Sequence, residues 1–394
     1  MAKTIMILGA SILQLPAIEK AAGMGLNVIA LDMNPDAIGF KVPGIISEVI
    51  STTDIPGAIE AAKKYHIDGV MTLATDMPMR TVAAVAEACG LVGISCDTAI
   101  RATDKAVMRK ALKQAGVPVP DFHVIASESE FLQTTKDLPY QYMVKPADSS
   151  GSRGVSVVKD ARDSIPAYRY AKSFSRNGLV VVEEQMIGPE VSVETLAVDG
   201  EVHVIQITDK ITTGAPHFVE MGHTQPSRLD EQTQVKIKEI SVKANQAIGI
   251  QNGPSHTEII ITSEGPKIVE LGARLGGDCI TTHLVPLSTG VDMVEACILI
   301  ALGEKPNIKS TMTRGSAIRY FAQHAGTIKN VDINKAENMP GVKQISVVHG
   351  IGEKITDIID SGSRMGFVIT QGIDATQAAK IAEDAINQIK VEIA

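Results

Sequence analysis

Tryptophan is absent from this 394-residue chain, and aromatic residues make up only 3% of it. So few rings leave no stacking platform of the kind that binds single-stranded nucleic acid. A basic surplus is missing as well: 37 Lys and Arg stand against 45 Asp and Glu, a net charge of −8, which argues against nucleic acid or an anionic membrane as partner. Cysteine is scarce. Cys89, Cys96, Cys279 and Cys297 are too few for a disulfide framework and lack zinc-site spacing, so free thiols in a reducing compartment are expected. No apolar run reaches the roughly 20 residues that cross a bilayer, and Thr4-Ile5-Met6-Ile7-Leu8-Gly9 enters a strand with no leader-like pattern before it. A cytoplasmic protein is the expectation. Repeats and low-complexity tracts are also lacking. What remains is an ordinary globular balance, 44% hydrophobic and 21% charged, with length enough for two or three packed units.

The first hundred residues alternate short strands with helices: Thr4 to Leu8, Leu15 to Met24, Asn27 to Leu31, Ile55 to Lys64, Gly69 to Leu73 and Met79 to Cys89. Such alternation predicts a parallel sheet wound on both faces, with ligands bound beyond the carboxyl ends of its strands. Ser11, Asp32 and Asp76 would border that crevice. Gly9-Ala10-Ser11 lacks the further glycines of a dinucleotide fingerprint, so a small substrate is a better expectation there than NAD. Val117-Pro118-Val119-Pro120 is a stiff connection, and Gly303-Glu304-Lys305-Pro306 a turn into a C-terminal stretch of strands closed by a helix from Ala375 to Ile389.

His256 to Ile261 and Lys267 to Leu271 flank Thr262-Ser263-Glu264-Gly265-Pro266 and read as a β-hairpin. Folding it symmetrically about Glu264 sets Glu258 opposite Glu270. Cβ atoms so related lie roughly 4.5–5.5 Å apart, where like charges repel. A pair like this calls for a cation between its members, and oxygen ligands favour Mg2+ or Mn2+ with nucleotide phosphate completing the shell. An exposed hairpin with an accidental acidic pair is the plainer alternative.

A second feature is the strand Tyr142 to Lys145 and the loop of small residues after it, Ser149-Ser150-Gly151-Ser152-Arg153-Gly154. Backbone N–H groups in such a loop approach phosphate without hindrance, and Lys145 adds a point charge. It is not a Walker loop, since Lys precedes it. The apolar strand Leu179 to Val182 then ends in Glu183-Glu184-Gln185-Met186, followed by Glu190.

Lys105, Lys145 with its Ser/Gly loop, Glu183 to Met186, Glu190, Glu258, Glu270 and Arg274, in that order, resemble the ATP-grasp superfamily, biotin carboxylase and carbamoyl-phosphate synthase among its members. The resemblance spans essentially the whole chain. It implies an α/β protein with a doubly wound N-terminal parallel-sheet domain (1–104), a two-part ATP-grasp α+β domain (105–186 with the lid, 187–305 with the metal site) and a small mixed C-terminal lobe (306–394). It further implies that Lys105 and Lys145 contact the phosphates of ATP and that Ser149, Ser150, Gly151, Ser152 and Gly154 belong to a lid. Glu183, Glu184 and Met186 would lie at adenine, Glu190 at ribose, and Glu258 and Glu270 on Mg2+ (or Mn2+). One departure concerns Glu270-Leu271-Gly272-Ala273-Arg274: the family usually carries Asn where this chain has Gly272.

The implied chemistry is activation of a small-molecule carboxylate as an acyl phosphate, then transfer to an amine or ammonia. Arg274 would hold the carboxylate, and Lys210, His223 and Asp278, with Ser11 and Asp76, are candidates for substrate. Formate-dependent phosphoribosylglycinamide formyltransferase-like and bicarbonate-activating enzymes are alternatives within the family, and a nucleotide-binding regulator without turnover lies outside it. Relatives imply a homodimer.

Overall fold

A computed structural model describes residues 2–139, 141–149, 151, 153–215, 217–322 and 324–394. Among these residues four sheets, parallel or antiparallel, carry the architecture. The first is parallel, in the order Ile46–Val49, Asn27–Asp32, Thr4–Leu8, Gly69–Met71. Its central strand is apolar on both faces, because helices cover both. Ile55–Tyr65 and Met79–Cys89 contribute to one core with Met6 and Leu8. On the other side Ile5 and Ile7 pack with Leu15–Gly23 and with the distant helix Met293–Ala301. Asp32 accepts from the backbone N–H groups of Ala10 and Asn34, which ties it into the first crossover turn.

The second sheet is antiparallel and small: Phe122–Ile125, Val180–Glu184, Tyr142–Pro146, Ser156–Val158. The helix Ala161–Phe174 closes one face, with the Phe131 and Tyr168 rings 4.9 Å apart beneath it. The third sheet has eight strands. Gly265–Gly272 forms its edge, followed by Gly253–Thr262, Glu190–Val198, Glu201–Thr212 and Glu220–Gln225. Gly315–Phe321, Gly366–Gly372 and Val342–Val347 continue it, so strands on both sides of residue 306 share one sheet. A three-stranded sheet of Lys354–Ile355, Gly326–Asp332 and Lys390–Ile393 completes the C-terminal end. The fold class expected from the sequence is the one seen.

Candidate active site

The edge hairpin does not fold as symmetry about Glu264 would have it. Thr262 pairs with Gly265, Ile261 with Pro266 and Ile259 with Ile268, a register that taken further would set Glu258 opposite Val269. A β-bulge intervenes. Val269 is the extra residue, and beyond it Glu258 faces Glu270. Side chains alternate along a strand, so in an unbulged ladder Glu270 would pair with Thr257 and project from the opposite face. The expected juxtaposition is present, by a different route.

Both carboxylates line one cleft of about 160 Å3 between the small sheet and the eight-stranded sheet. Lys105, Lys145, Ser149, Gly151, Glu183, Glu184, Met186, Glu190 and Lys210 line it too. Gly154 closes the loop beyond, at φ +78° with Phe174 and Pro146 against it, so a side chain there has neither the backbone nor the room. Ser150 and Ser152 lie outside the described residues. The cleft is smaller than the roughly 300–1,000 Å3 usual for small-molecule sites. It opens past Gly151, Arg153 and Phe218 into a wider groove of about 890 Å3, so raising the loop would enlarge it.

Each cation has a structural reason for its place. Asp104 caps the helix Lys105–Gln114 by accepting from Ala106 and Val107, which makes Lys105 its first residue. Lys105 Nζ donates to the Ser149 carbonyl at 2.7 Å and to Glu270 at 2.9 Å. Lys145 contacts Glu183, whose other oxygen takes Arg109 at 3.1 Å. Burial lowers the Lys145 pKa, and neighbouring Arg109 and Lys105 add to that against the pull of Glu183. Burial opposes ionisation of Glu183 as well, but Arg109 and Lys145 outweigh it and hold the carboxyl low. Lys210 is the hub of a second cluster, 2.5 Å from Glu190, 3.0 Å from Glu258 and 3.7 Å from Glu220.

Glu258 has a further neighbour that sequence reading passed over. His256 donates from Nδ1 to buried Glu194 at 2.6 Å and turns Nε2 toward Glu258 at 3.6 Å. Burial works against charge on this imidazole, yet Glu194 and Glu258 prevail and raise it to about 9. Burial likewise pushes Glu258 up, and Lys210 with His256 more than reverses that, leaving it well below the usual carboxylate range. Gly276 makes room for this pair, since a Cβ there would meet His256 Nδ1 at 2.7 Å and Glu194 at 2.9 Å.

Arg274 stands apart from the cleft and is bound by Asp76, Nε to Oδ1 at 3.1 Å and Nη2 to Oδ2 at 3.3 Å. A Cβ on Gly272 would lie 2.6 Å from Asp76 Oδ1. The carboxylate of Asp76, delivered by the N-terminal sheet, therefore fills the space that a side chain at 272 would take. His223 and Asp278 are 3.3 Å apart, and Arg364, also unforeseen, grips both Asp278 oxygens at 2.8 and 2.9 Å while stacking on Tyr320. This group backs onto the cleft through Glu220, whose carbonyl accepts from Arg364. Ser11 donates to Gln14 at 2.7 Å and borders neither the cleft nor the cavities beside it.

Arg109 was legible in part. It follows Lys105 by four residues, on the same helix face as apolar Met108 and Leu112, and a second cation on such a face needs a buried partner.

Residues 138–282, which hold Lys145 and the loop after it, the Lys210 cluster and the bulged hairpin, match the ATP-grasp domain model. This stretch of the chain is an ATP-grasp domain. Residues 319–394 match the model named L-amino acid ligase C-terminal domain 2. The L-arginine-specific L-amino acid ligase of Bacillus subtilis is 26% identical over 71% of this chain and 68% of its own length. The phosphoribosylamine–glycine ligase of Methanosarcina barkeri is 26% identical over 86% and 82%. The solved L-amino acid ligase of Bacillus licheniformis superposes with a TM-score of 0.88, covering 100% of this chain and 99% of its own, at 24% identity.

An ATP-grasp domain implies ATP and a divalent cation, and the donor set fits them. Two carboxylates on one face suit a hard cation that takes its remaining oxygens from phosphate and water. Among the described residues no cluster of three or more His, Cys, Asp or Glu has the spacing of a metal cage.

Proposed function

We propose that this protein is an ATP-dependent ligase that activates the carboxylate of an amino acid as an acyl phosphate and transfers it to an amine, releasing ADP and phosphate. The observation that carries this reading is the pair Glu258 and Glu270 on one wall of a cleft whose opposite wall supplies Lys145. An amino acid as the activated acid agrees with the names of both kinds of relative, and the C-terminal match to an L-amino acid ligase domain favours an amino acid over a phosphoribosylamine as the amine.

Lys105, Lys145 and Lys210 would neutralise phosphate oxygens, and Glu258 and Glu270 would hold Mg2+. That cation, when bound with nucleotide, withdraws charge from the phosphates. An oxygen of the acid attacks the γ-phosphorus and ADP leaves. The amine nitrogen then attacks the carbonyl carbon, phosphate departs with the C–O bonding pair, and the nitrogen loses a proton. A carboxylate resists attack because it is negative and has no leaving group, and phosphorylation removes both obstacles. The protein's part is positioning and charge neutralisation. Arg274 would hold the carboxylate, fixed in orientation by Asp76 in the space beside Gly272. The lid loop 149–154 would exclude water from the acyl phosphate. We extend the proposal to a homodimer, which light scattering would report as twice the chain mass.

The test is ADP release from ATP with a matrix of amino acids offered singly and in pairs. Release that requires an acid and an amine together supports the ligase. Nucleotide binding with no release under any pair would leave a binding protein instead.

A further inference from the structure

A cavity of about 570 Å3 lies on the far side of the Lys105–Glu270 ion pair from the nucleotide cleft. Lys105, Ser149, Arg153 and Glu270 line both spaces, so the two meet where Glu270 stands. Its other walls are Thr53 and Asp76 from the N-terminal sheet, Arg80 from the helix Met79–Cys89, and Asp148 and Arg176 from the small sheet's side. Thr53 and Asp76 follow the parallel strands Ile46–Val49 and Gly69–Met71, so the cavity occupies the crevice at the carboxyl ends of those strands.

Its charge is uneven. Four basic residues, Arg80, Lys105, Arg153 and Arg176, face three acids. Every acid is already engaged: Asp76 by Arg274, Glu270 by Lys105, and Asp148 by the backbone N–H groups of Arg176 and Asn177. Arg80 is not. Its Nε donates to Thr103 Oγ1 at 2.8 Å, which fixes the direction of the side chain, while Nη1 and Nη2 meet no acceptor among the described residues. Arg176 Nη2 donates to the Asp148 carbonyl at 2.6 Å, and the nearest acid is 4.0 Å from its Nε. Guanidinium forks held this way suit a carboxylate or a phosphate. Nucleotide phosphate has its own three lysines in the neighbouring cleft.

We propose that this cavity seats the amine acceptor through an anionic group that the acceptor itself carries, a carboxylate or a phosphate, bound by Arg80 and Arg176. The inference rests on the ligase reading above and narrows its acceptor. A neutral amine of the same shape would leave both forks unfilled. The volume is ample for an amino acid beside several waters.

The experiment offers each acceptor and its uncharged counterpart beside a saturating amino acid that the pair matrix shows to be the activated acid: L-alanine with L-alaninamide for the carboxylate arm, O-phosphoethanolamine with ethanolamine for the phosphate arm. ADP release is read for the native protein, Arg80→Gln and Arg176→Gln, with melting curves to show that each variant folds. The expected result is at least a tenfold preference in kcat/KM for one anionic member. In both variants its KM rises about tenfold, with the penalty confined to the anionic acceptor and KM for ATP unmoved. Equal use of acid and amide, or a variant effect that falls on KM for ATP, overturns the proposal. Ligand-observed NMR of the same compounds separates it from the ligase reading. Acid-selective binding that Arg80→Gln abolishes, without ADP release, upholds the cavity and sinks the ligase. Neither selective binding nor turnover sinks both.

Discussion

Arg109 donates from Nη2 to the carbonyl oxygen of Val269 at 2.5 Å, and Val269 is the bulge residue of the edge hairpin. A bulge leaves one residue without its ladder partner, so a buried guanidinium satisfies the group that the irregularity exposes. The same guanidinium binds Glu183, which in turn contacts Lys145. One side chain thereby links the wall that carries Glu270 to the wall that carries Lys145.

Arg109→Met should therefore damage both. Removing one partner of a buried ion pair costs about 3–5 kcal/mol, and Lys145 remaining on Glu183 puts this case near the lower end. Urea denaturation should show a loss of about 3 kcal/mol. KM for ATP and kcat should both worsen, with Arg109→Lys recovering little because an ammonium cannot serve Glu183 and Val269 in the same fork geometry. Unchanged stability would mean that the bulge is held by other contacts, such as the Ile268 N–H to the Pro118 carbonyl.

Glu258→Gln and Glu270→Gln remove one charge each from the proposed metal pair. We expect kcat to fall by roughly 10²–10³, the scale of a lost transition-state electrostatic contact. Mn2+ binding in the presence of ADP, followed by electron paramagnetic resonance, should weaken in both. Melting temperatures should change little in Glu258→Gln, since Lys210 keeps Glu190. Full Mn2+ affinity in either variant would remove that residue from the metal site.

Gly272→Ala tests the role of Asp76. The new methyl would stand 2.6 Å from Asp76 Oδ1, so the Asp76–Arg274 pair must shift. Overpacking of this kind costs about 1–3 kcal/mol. The double variant Gly272→Ala, Asp76→Ala should cost less than the sum of the singles, measured by a denaturation cycle. Strict additivity would place Asp76 out of reach of residue 272.

Cys279 and Cys297 should resist alkylation in the folded protein at pH 8. Burial pushes the Cys279 thiol up to about 12, with Asp278 adding to it, and burial raises Cys297 further. A raised thiol pKa keeps the sulfur protonated and unreactive at pH 8, because the thiolate is the nucleophile. Mass spectrometry after a timed iodoacetamide pulse should find both unmodified until denaturant is added. Rapid native labelling of Cys279 would contradict its surroundings as described.

The chain's periodicity and turn residues determined a great deal on their own. Alternating strands and helices announced the parallel sheet, and the Ser263-Glu264 turn announced a hairpin, because both signals are local and repeat within a few residues. The order of Lys105, Lys145, Glu183, Glu190, Glu258, Glu270 and Arg274 was equally readable. Contacts across long sequence separations were not. The carbonyl of Val269 at the bulge meets Arg109, 160 residues away, and Asp76 reaches Arg274 across 198. Lys210 meets Glu190 and Glu258 only because three strands lie side by side, and Arg364 meets Asp278 only because the C-terminal strands join the large sheet. A local pattern fixes which face of an element is apolar; which distant charge comes to rest against it is set when the elements pack, since a buried charge must find its counterion wherever the fold brings one.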